Sequence, residues 1–355
     1  MKLQRWLLQN GNTKQVQRVA KTCNKHCKNA TRIAKKCKSR SATKQCKKEN
    51  VTMQFYKNAT PMGIGNTPLL PYEEDFDADI FFKQESMNVT GSIKDRAALA
   101  MILQAQKDGL LTPGCTIVEA TSGNMGISLA YIGRQLGYKV LLTMPDNMSI
   151  ERKQLLQGLG AQLVLTEGSL GMQGAVDMAE QLAQNANHVW LKQFENKANV
   201  VAHYLSTGKE IAGQIERVDI FVAGIGTGGT LIGVAKRLKE VYPDCKIVAV
   251  EPASSPAISR GEKGAHKIQG IGAGFVPKLY NKKLVDQVEL VTDEQAMDKF
   301  LELNKKLGYC CGISSASNIV VCERLANLPE NKGKNIVTVF PDGDDRYESL
   351  LKVSK

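Results

Sequence analysis

The sequence predicts a parallel α/β fold from two features, its short strand-like runs and the helical segments that separate them. From about residue 80 onward, short runs rich in apolar and β-branched residues alternate with segments of helical period. This alternation is typical of parallel sheets whose strands are joined by helices. The predicted strands are residues 80–83, 116–119, 139–144, 162–165, 219–223, 246–250 and 335–340.

The clearest predicted helix follows Gly229, where apolar side chains recur at positions 231, 234, 235, 238 and 241 and form one face. A second helix is predicted over residues 293–307. Open parallel sheets bind ligands beyond the carboxyl ends of their strands. The loops that follow the predicted strands are therefore where a functional site is expected.

The positive charge lies in a leader rather than in the body of the chain. The whole chain carries 47 Lys and Arg against 35 Asp and Glu, a net charge of +12. Residues 1–50 hold 15 of the basic residues and one acid, so the rest sums to −2. We predict that residues 1–52 are a basic, largely solvated leader, with organelle targeting and, more weakly, a metal site at its four cysteines as the alternatives. A nucleic-acid partner ranks last among the functions considered, because the body is nearly neutral.

Other compositional features exclude several classes of protein. The sequence contains no run of about 18 uncharged apolar residues, so no membrane-spanning helix or membrane partner is expected. The body's five cysteines are scattered, which favours free thiols in a reducing compartment and a cytoplasmic location. The histidines of the body do not cluster with cysteines or acids, so no metal site is proposed.

The first unusual loop is residues 224–230, which read Gly-Ile-Gly-Thr-Gly-Gly-Thr between a predicted strand and a predicted helix. Glycines let backbone N–H groups approach a ligand, and a helix start favours anions, so the loop suits a phosphate. The glycine spacing also fits a dinucleotide fingerprint, with Glu251 at the end of the next strand. A tight turn that binds no ligand is the third alternative.

Two further loops supply different chemistry. Residues 121–126 read Thr-Ser-Gly-Asn-Met-Gly and offer hydroxyl, amide and N–H groups that suit a carboxylate, although simple helix capping by Ser122 or Asn124 is the alternative. Lys94 follows a turn of small residues at a predicted helix start, where burial would free its amine to form a Schiff base. An ordinary surface lysine is the alternative there. A phosphate loop, a carboxylate loop and a lysine are the parts that a pyridoxal-phosphate enzyme needs.

With these motifs in place, the chain resembles the cysteine synthases (O-acetylserine sulfhydrylases), pyridoxal-phosphate enzymes of the β-family, or fold type II. The matching segments are residues 64–69, 91–96, 119–126, 144–149, 224–230, 266–272 and 312–315. The resemblance implies two three-layer α/β domains with mostly parallel sheets, as in the tryptophan synthase β-like fold, with the cofactor between them. It implies a smaller domain over residues 86–195 and a larger one over residues 53–85 and 196–355.

The resemblance also implies roles for particular residues. Lys94 is expected to bind pyridoxal 5′-phosphate covalently and to serve as the catalytic base. Asn124 is expected at the ring oxygen and Ser314 at the ring nitrogen. The residues expected to hold the phosphate are Gly226, Thr227, Gly228, Gly229 and Thr230. The residues expected around the substrate carboxylate are Thr121, Ser122, Gly123, Asn124 and Met125, with Gln193 facing them.

The reaction implied by the resemblance is a β-replacement, catalysed by a transferase. O-Acetyl-L-serine loses acetate to give an aminoacrylate intermediate, and sulfide or thiosulfate then adds to form L-cysteine. The alternatives are cystathionine β-synthase or a serine or threonine dehydratase with the same cofactor, and, less favoured, a dinucleotide-dependent oxidoreductase. A homodimer and a complex with serine acetyltransferase are further implications of the resemblance.

Two positions depart from the family pattern. Met125 stands where the family usually has threonine, which removes one side-chain hydrogen bond to a substrate carboxylate. Ala316 stands where glycine is usual and is expected to crowd the turn after Ser314. Some segments look like the A type of cysteine synthase and others like the B type, so the subtype and the sulfur donor stay open.

Overall fold

The computed structural model describes Phe55 and residues 57–353, so the predicted leader lies outside the described residues. The strands are β1 (Leu69–Pro71), β2 (Asp79–Gln84), β3 (Thr116–Ala120), β4 (Lys139–Pro145), β5 (Gln162–Thr166), β6 (His188–Trp190), β7 (Ile220–Gly224), β8 (Lys246–Pro252), β9 (Gln287–Val291) and β10 (Asn335–Phe340). The α-helices are α1 (Lys94–Lys107), α2 (Asn124–Gln135), α3 (Ile150–Gly158), α4 (Gly171–Leu182), α5 (Lys197–Leu205), α6 (Thr207–Gln214), α7 (Gly229–Val241), α8 (Asp293–Leu301), α9 (Ile313–Ala326) and α10 (Glu348–Val353).

The strands form two sheets. The larger has the order β1-β2-β10-β7-β8-β9, and the smaller has the order β5-β4-β3-β6. β1 pairs antiparallel with β2, and the other strand pairings of the described residues are parallel. The prediction of a mostly parallel α/β fold is therefore confirmed.

The larger sheet is buried on both faces, as parallel sheets usually are. Along β7, Ile220 and Val222 pack into a core with Phe300, whereas Phe221 and Ala223 face the opposite way. That second core also contains Leu231, an apolar residue of α7. The alternation follows from the period of two in a strand, and it explains why β7 reads as an uninterrupted apolar run.

The smaller sheet divides its side chains in the same way. Ile117 of β3 packs in a core that includes residues of α1 and α2, such as Leu99 and Leu129. Val118 points to the other face, where it packs with Ala175 of α4. Both sheets thus direct the carboxyl ends of their strands into loops that begin helices.

The seven predicted strands all appear in the structure as strands. The sequence missed β1 and β6, which are three residues long each, and β9, whose side chains are mostly half-buried. The helix predicted over residues 293–307 is correct to Leu301, after which residues 302–306 form a π-helical turn. The side-chain amide of Asn304 donates to the carbonyls of Phe300 (2.8 Å) and Cys311 (2.9 Å) in that turn.

The division into two domains stays a prediction. It agrees with the grouping of the strands, since β3 to β6 lie within residues 86–195 and the strands of the larger sheet lie outside that range. Among the described residues, no helix combines the length and the apolar character that crossing a bilayer requires. No group of three potential metal-ligating side chains occurs in that part of the chain either.

Candidate active site

Lys94 is the first residue of α1 and lines a pocket at the carboxyl ends of the strands. Two contacts hold the turn that precedes it: the N–H of Ile93 donates to the carbonyl of Pro341 (2.8 Å), and Ser92 forms a β-bridge with Asp342. Within the described residues the Nζ atom of Lys94 has no hydrogen-bond or salt-bridge partner. Burial lowers the pKa of the Lys94 amine, although the Asp342 carboxylate opposes that shift in part. The amine is therefore poised to lose its proton and act as a nucleophile.

The start of α1 is anchored by a buried cluster of charges two residues after Lys94. The Arg96 guanidinium lies 2.7 Å from a carboxylate oxygen of Glu85 and 2.7 Å from one of Glu210. Lys83 reaches the other oxygen of Glu210 at 2.9 Å. Burial alone would raise the pKa of the Glu210 carboxyl, but Arg96 and Lys83 hold it well below its usual range. The two cations and two anions balance, which is the condition for burying such a cluster.

The glycine loop lies across the pocket from Lys94, between β7 and α7. Gly228 has a φ of +84°, a left-handed conformation that favours glycine. A Cβ at Gly226 would lie 2.5 Å from the carbonyl oxygen of Gly270, so that position admits no side chain. In the described chain, no acceptor satisfies the backbone N–H groups of Gly226, Thr227, Gly228 or Thr230. These four donors at one helix start fit an anionic group such as a phosphate.

Two buried side chains that the sequence did not suggest support this loop. Asn199 donates from Nδ2 to the Thr227 hydroxyl (3.0 Å) and to the carbonyl of Gln193 (3.0 Å). His203 contacts the hydroxyl of Thr230 through Nε2 at 3.3 Å. Burial lowers the pKa of His203 well below its usual value, so the ring is neutral beside the loop. Both residues belong to α5, whose contacts with α7 only the folded chain reveals.

The third loop, residues 121–126, joins β3 to α2. Within the described residues, the N–H groups of Ser122, Asn124 and Met125 have no acceptor, which leaves three donors at a helix start. The Met125 side chain is 2% exposed and packs in the apolar core, so it points away from these donors. The threonine hydroxyl that the family usually has there is therefore replaced by packing, while the backbone donors stay in place.

The structure brings most of the predicted residues to one pocket. Those that line it are Lys94, Asn124, Gly226, Thr227, Gly228, Thr230 and Ser314. Gly229 lies beneath the loop, where a Cβ would meet Asn199 at 2.0 Å. Gln193 is buried next to the 121–126 loop, with Nε2 at 3.4 Å from the carbonyl of Ala120. Ala316 fits without exposure in α9, as part of the core of the larger sheet.

The pocket also contains residues that the sequence reasoning missed. Gly270 and Ile271 line it next to the glycine loop, and Pro341 and Asp342 line it next to Lys94. The sequence does carry a signal for Asp342, because this residue follows the predicted strand 335–340 and functional residues are expected after strand ends. Its carboxylate accepts a hydrogen bond from Nδ2 of Asn124 at 2.7 Å.

Glu251 distinguishes between the two ligands that the glycine loop suggested. A dinucleotide site needs its carboxylate free to bind a ribose. In the structure, its two oxygens accept from the backbone N–H groups of Ile258 and Ser259, both at 2.9 Å. The carboxylate is thus committed to the local backbone, which argues against a dinucleotide.

Glu119 is a buried carboxyl group at the end of β3, next to the 121–126 loop. It is 2% exposed, and burial raises its pKa to about 8, although the nearby Trp190 indole favours the charged form. The folded chain therefore holds Glu119 protonated at pH 7, whereas the unfolded chain ionises it near 4.5. Stability is lost as the pH rises from the lower to the higher of these values, because only the unfolded state releases the proton there.

We therefore expect Glu119→Gln to become progressively more stable than the wild type between pH 5 and pH 8. The difference in free energy of unfolding should grow by about 1.4 kcal/mol per pH unit, since glutamine mimics the protonated acid. Urea melts at several pH values measure it, with the exposed Glu180→Gln as the matched control. Parallel pH profiles for Glu119→Gln and the wild type would contradict the prediction.

The fold and the pocket together define an enzyme class that holds a phosphorylated cofactor beside a reactive lysine. A family model described as pyridoxal-phosphate dependent enzyme matches residues 60–342. A cysteine synthase of Staphylococcus aureus (strain Mu50 / ATCC 700699) is 46% identical over 291 residues, covering 81% of this chain and 94% of the relative. The chain belongs to the pyridoxal-phosphate dependent enzyme family and, within it, to the cysteine synthases.

Solved structures agree with this assignment. The crystal structure of a cysteine synthase from Entamoeba histolytica matches with a TM-score of 0.80 and 38% identity, over 89% of this chain and 94% of that one. An O-acetylserine dependent cystathionine beta-synthase from Helicobacter pylori matches with a TM-score of 0.75 and 36% identity, over 81% of this chain and 95% of that one. The resemblance identified from the sequence motifs is thereby confirmed.

Proposed function

We propose that the protein makes L-cysteine from O-acetyl-L-serine and sulfide. Its cofactor is pyridoxal 5′-phosphate, as in the family to which it belongs. The observation that supports the proposal best is the pocket itself, where the partly buried Lys94 amine of lowered pKa lies across from four backbone N–H groups that have no acceptor within the described residues. Neither a dehydratase nor a cystathionine synthase is favoured by any contact in this pocket.

The contacts in the pocket and the resemblance to the cysteine synthases support roles for the residues that would hold the cofactor. The free N–H groups of the glycine loop would bind the phosphate, and Lys94 would bind the carbonyl carbon. Asn124 and Ser314 would meet the ring oxygen and the ring nitrogen. A neutral serine there favours an unprotonated ring nitrogen, which weakens the electron sink and suits β-elimination. When bound, the cofactor supplies a conjugated ring that stabilises negative charge at the α-carbon of an attached amino acid.

Lys94 would perform two tasks in turn. As a neutral amine it would be a nucleophile toward the cofactor's carbonyl carbon, and the same nitrogen would be the base that takes the substrate's α-proton. Burial favours both tasks, because it lowers the pKa and enlarges the fraction of free amine near neutral pH. The Asp342 carboxyl group lines the same pocket as Lys94.

The 121–126 loop would bind the substrate's carboxylate. The three free N–H groups at the start of α2 point to an anion, and the helix dipole adds to the attraction. The side chains of Thr121, Ser122 and Asn124 add hydroxyl and amide groups, and Gly123 leaves room for the anion because a Cβ there meets nothing within 4 Å. Gln193 follows β6, which neighbours β3 in the smaller sheet, and it faces this loop.

A spectroscopic titration of the purified full-length protein tests the proposed function. The enzyme should carry a visible absorption band from lysine-bound cofactor, which O-acetylserine should displace and sulfide should restore, with cysteine as the product. Thiosulfate and homocysteine in place of sulfide distinguish the B type and a cystathionine synthase. Absence of a visible band, or a product formed with homocysteine but not with sulfide, would contradict the proposal.

Several finer properties stay predictions that the resemblance supports. They are a homodimer, a cytoplasmic location and a complex with serine acetyltransferase. The choice between sulfide and thiosulfate belongs to the same group, and the titration decides it.

A further inference from the structure

The side-chain amide of Asn124 is held at both of its polar ends. Its Nδ2 donates to Oδ2 of Asp342 at 2.7 Å, and its Oδ1 accepts a hydrogen bond from Nη1 of Arg346. Arg346 also donates through Nη2 to the backbone carbonyl of Thr90, which fixes the guanidinium. Neither Asp342 nor Arg346 has a role in the function proposed so far beyond lining or flanking the pocket.

Asp342 is itself tightly placed by the backbone. The N–H of Gly312 donates to its carbonyl (3.2 Å), and a β-bridge joins it to Ser92. A Cβ at Gly312 would lie 2.0 Å from Oδ1 of Asp342, so the carboxylate occupies space that only a glycine leaves. Tyr347 donates its hydroxyl to Oδ2 at 3.2 Å. The Asp342 carboxylate thus lies between the turn before Lys94 and the start of α9, the helix that carries Ser314.

These contacts select one of two amide orientations. A rotation of the Asn124 amide by 180° would turn its oxygen toward the Asp342 carboxylate and its N–H groups toward the Arg346 guanidinium, which repel it in both places. The observed orientation leaves one of the two N–H groups of Nδ2 unused by Asp342. Since Asn124 lines the pocket, that second N–H is available to a ligand there.

We propose that Asp342 and Arg346 are positioning residues that act through Asn124, fixing its amide so that the second N–H meets the oxygen of the cofactor ring. The proposal rests on the proposed function. Burial raises the pKa of the Asp342 carboxyl, and the contacts with Asn124, Arg346 and Tyr347 oppose that shift. The carboxylate form would accept the stronger hydrogen bond from the Asn124 amide.

Four variants of the full-length holoenzyme give the kinetic test of the proposal: Asp342→Ala, Asp342→Asn, Asn124→Ala and the double variant Asp342→Ala/Asn124→Ala. We expect Asp342→Ala to lower kcat/KM for O-acetylserine about tenfold, the loss of one charge-assisted hydrogen bond. Asp342→Asn keeps an acceptor for Asn124 and should lose about threefold. In the Asn124→Ala background, the further loss caused by Asp342→Ala should fall below about twofold, because the residue through which Asp342 acts is gone.

The visible absorption band of the bound cofactor gives a second reading that does not depend on turnover. Asp342→Ala and Arg346→Met should displace the band in the same direction as Asn124→Ala, since all three disturb the contact to the ring oxygen. Melting curves establish that each variant is folded, and Asp342→Asn and Arg346→Met carry the test if Asp342→Ala does not fold.

Two results would overturn the proposal. One is a double variant whose loss equals the product of the single losses, because Asp342 would then act independently of Asn124. The other is an unchanged band in both Asp342→Ala and Arg346→Met. A wild-type enzyme that binds the cofactor but makes no cysteine would contradict the proposed function alone, since the band positions still measure the contacts of Asn124.

Discussion

Lys94→Ala is expected to abolish cysteine synthesis, with a loss of at least about 10⁴-fold in kcat. In the proposed mechanism, Lys94 supplies both the amine that attacks the cofactor's carbonyl carbon and the base for the substrate's α-proton. Alanine replaces neither, and among the residues that the structure describes no other lysine lines the pocket. Steady-state assays of cysteine formation measure the loss, and the absence of the lysine-linked absorption band confirms its origin.

The matched control for this variant is Lys107→Ala, which removes the last lysine of the same helix at an exposed position. It should keep wild-type activity, because it changes the charge of α1 equally without touching the pocket. Lys94→Ala with activity within tenfold of the wild type would remove the basis of the proposed mechanism.

Gly226→Ala is the second change with a large expected effect. Its Cβ would lie 2.5 Å from the carbonyl oxygen of Gly270, so the backbone of the glycine loop must move and its N–H groups must turn. We expect the affinity for pyridoxal 5′-phosphate to fall about 100-fold, near the upper end of the cost of overpacking. Titration of the apoenzyme with cofactor, followed by absorbance, gives the dissociation constant.

Gly213→Ala is the control for this substitution. A Cβ at Gly213 meets nothing within 4 Å, and the residue lies near the end of α6, where alanine is a better helix former. That variant should bind the cofactor like the wild type and be equally or slightly more stable. If Gly226→Ala bound the cofactor as tightly as Gly213→Ala, the loop would not be the phosphate site.

The sequence predicted the parts of the site that lie next to one another along the chain. The glycine loop and the 121–126 loop each follow a strand and begin a helix, so local pattern and the rule for parallel sheets sufficed. Lys94 alone looks like an ordinary surface lysine. Only its combination with those loops and with the family motifs predicts a catalytic role. The structure adds that the glycine loop, Asn124 of the 121–126 loop and Lys94 line one pocket.

The residues that were missed act through contacts between distant segments. Asp342 lies 218 residues from its partner Asn124, and Arg96 lies 114 residues from Glu210. No periodicity or spacing encodes such pairs, because each partner alone looks like an ordinary charged residue. The short strand β6 and the π-helical turn after Leu301 were not predicted, for a related reason. β6 forms by pairing with β3, and the side-chain contacts of Asn304 support the turn.

The position of β10 in the larger sheet has a consequence for biosynthesis. β10 lies between β2 and β7, although β2 is made about 250 residues earlier. On the ribosome, the four strands of the smaller sheet emerge consecutively and can pair early, whereas β2 has no parallel neighbour until residues 335–340 have left the exit tunnel. The turn before Lys94 also stays incomplete until then, since the N–H of Ile93 in that turn donates to the carbonyl of Pro341. A nascent chain that stalls before this point therefore lacks both β10 and the Pro341 contact of the Lys94 turn, so its pocket is incomplete.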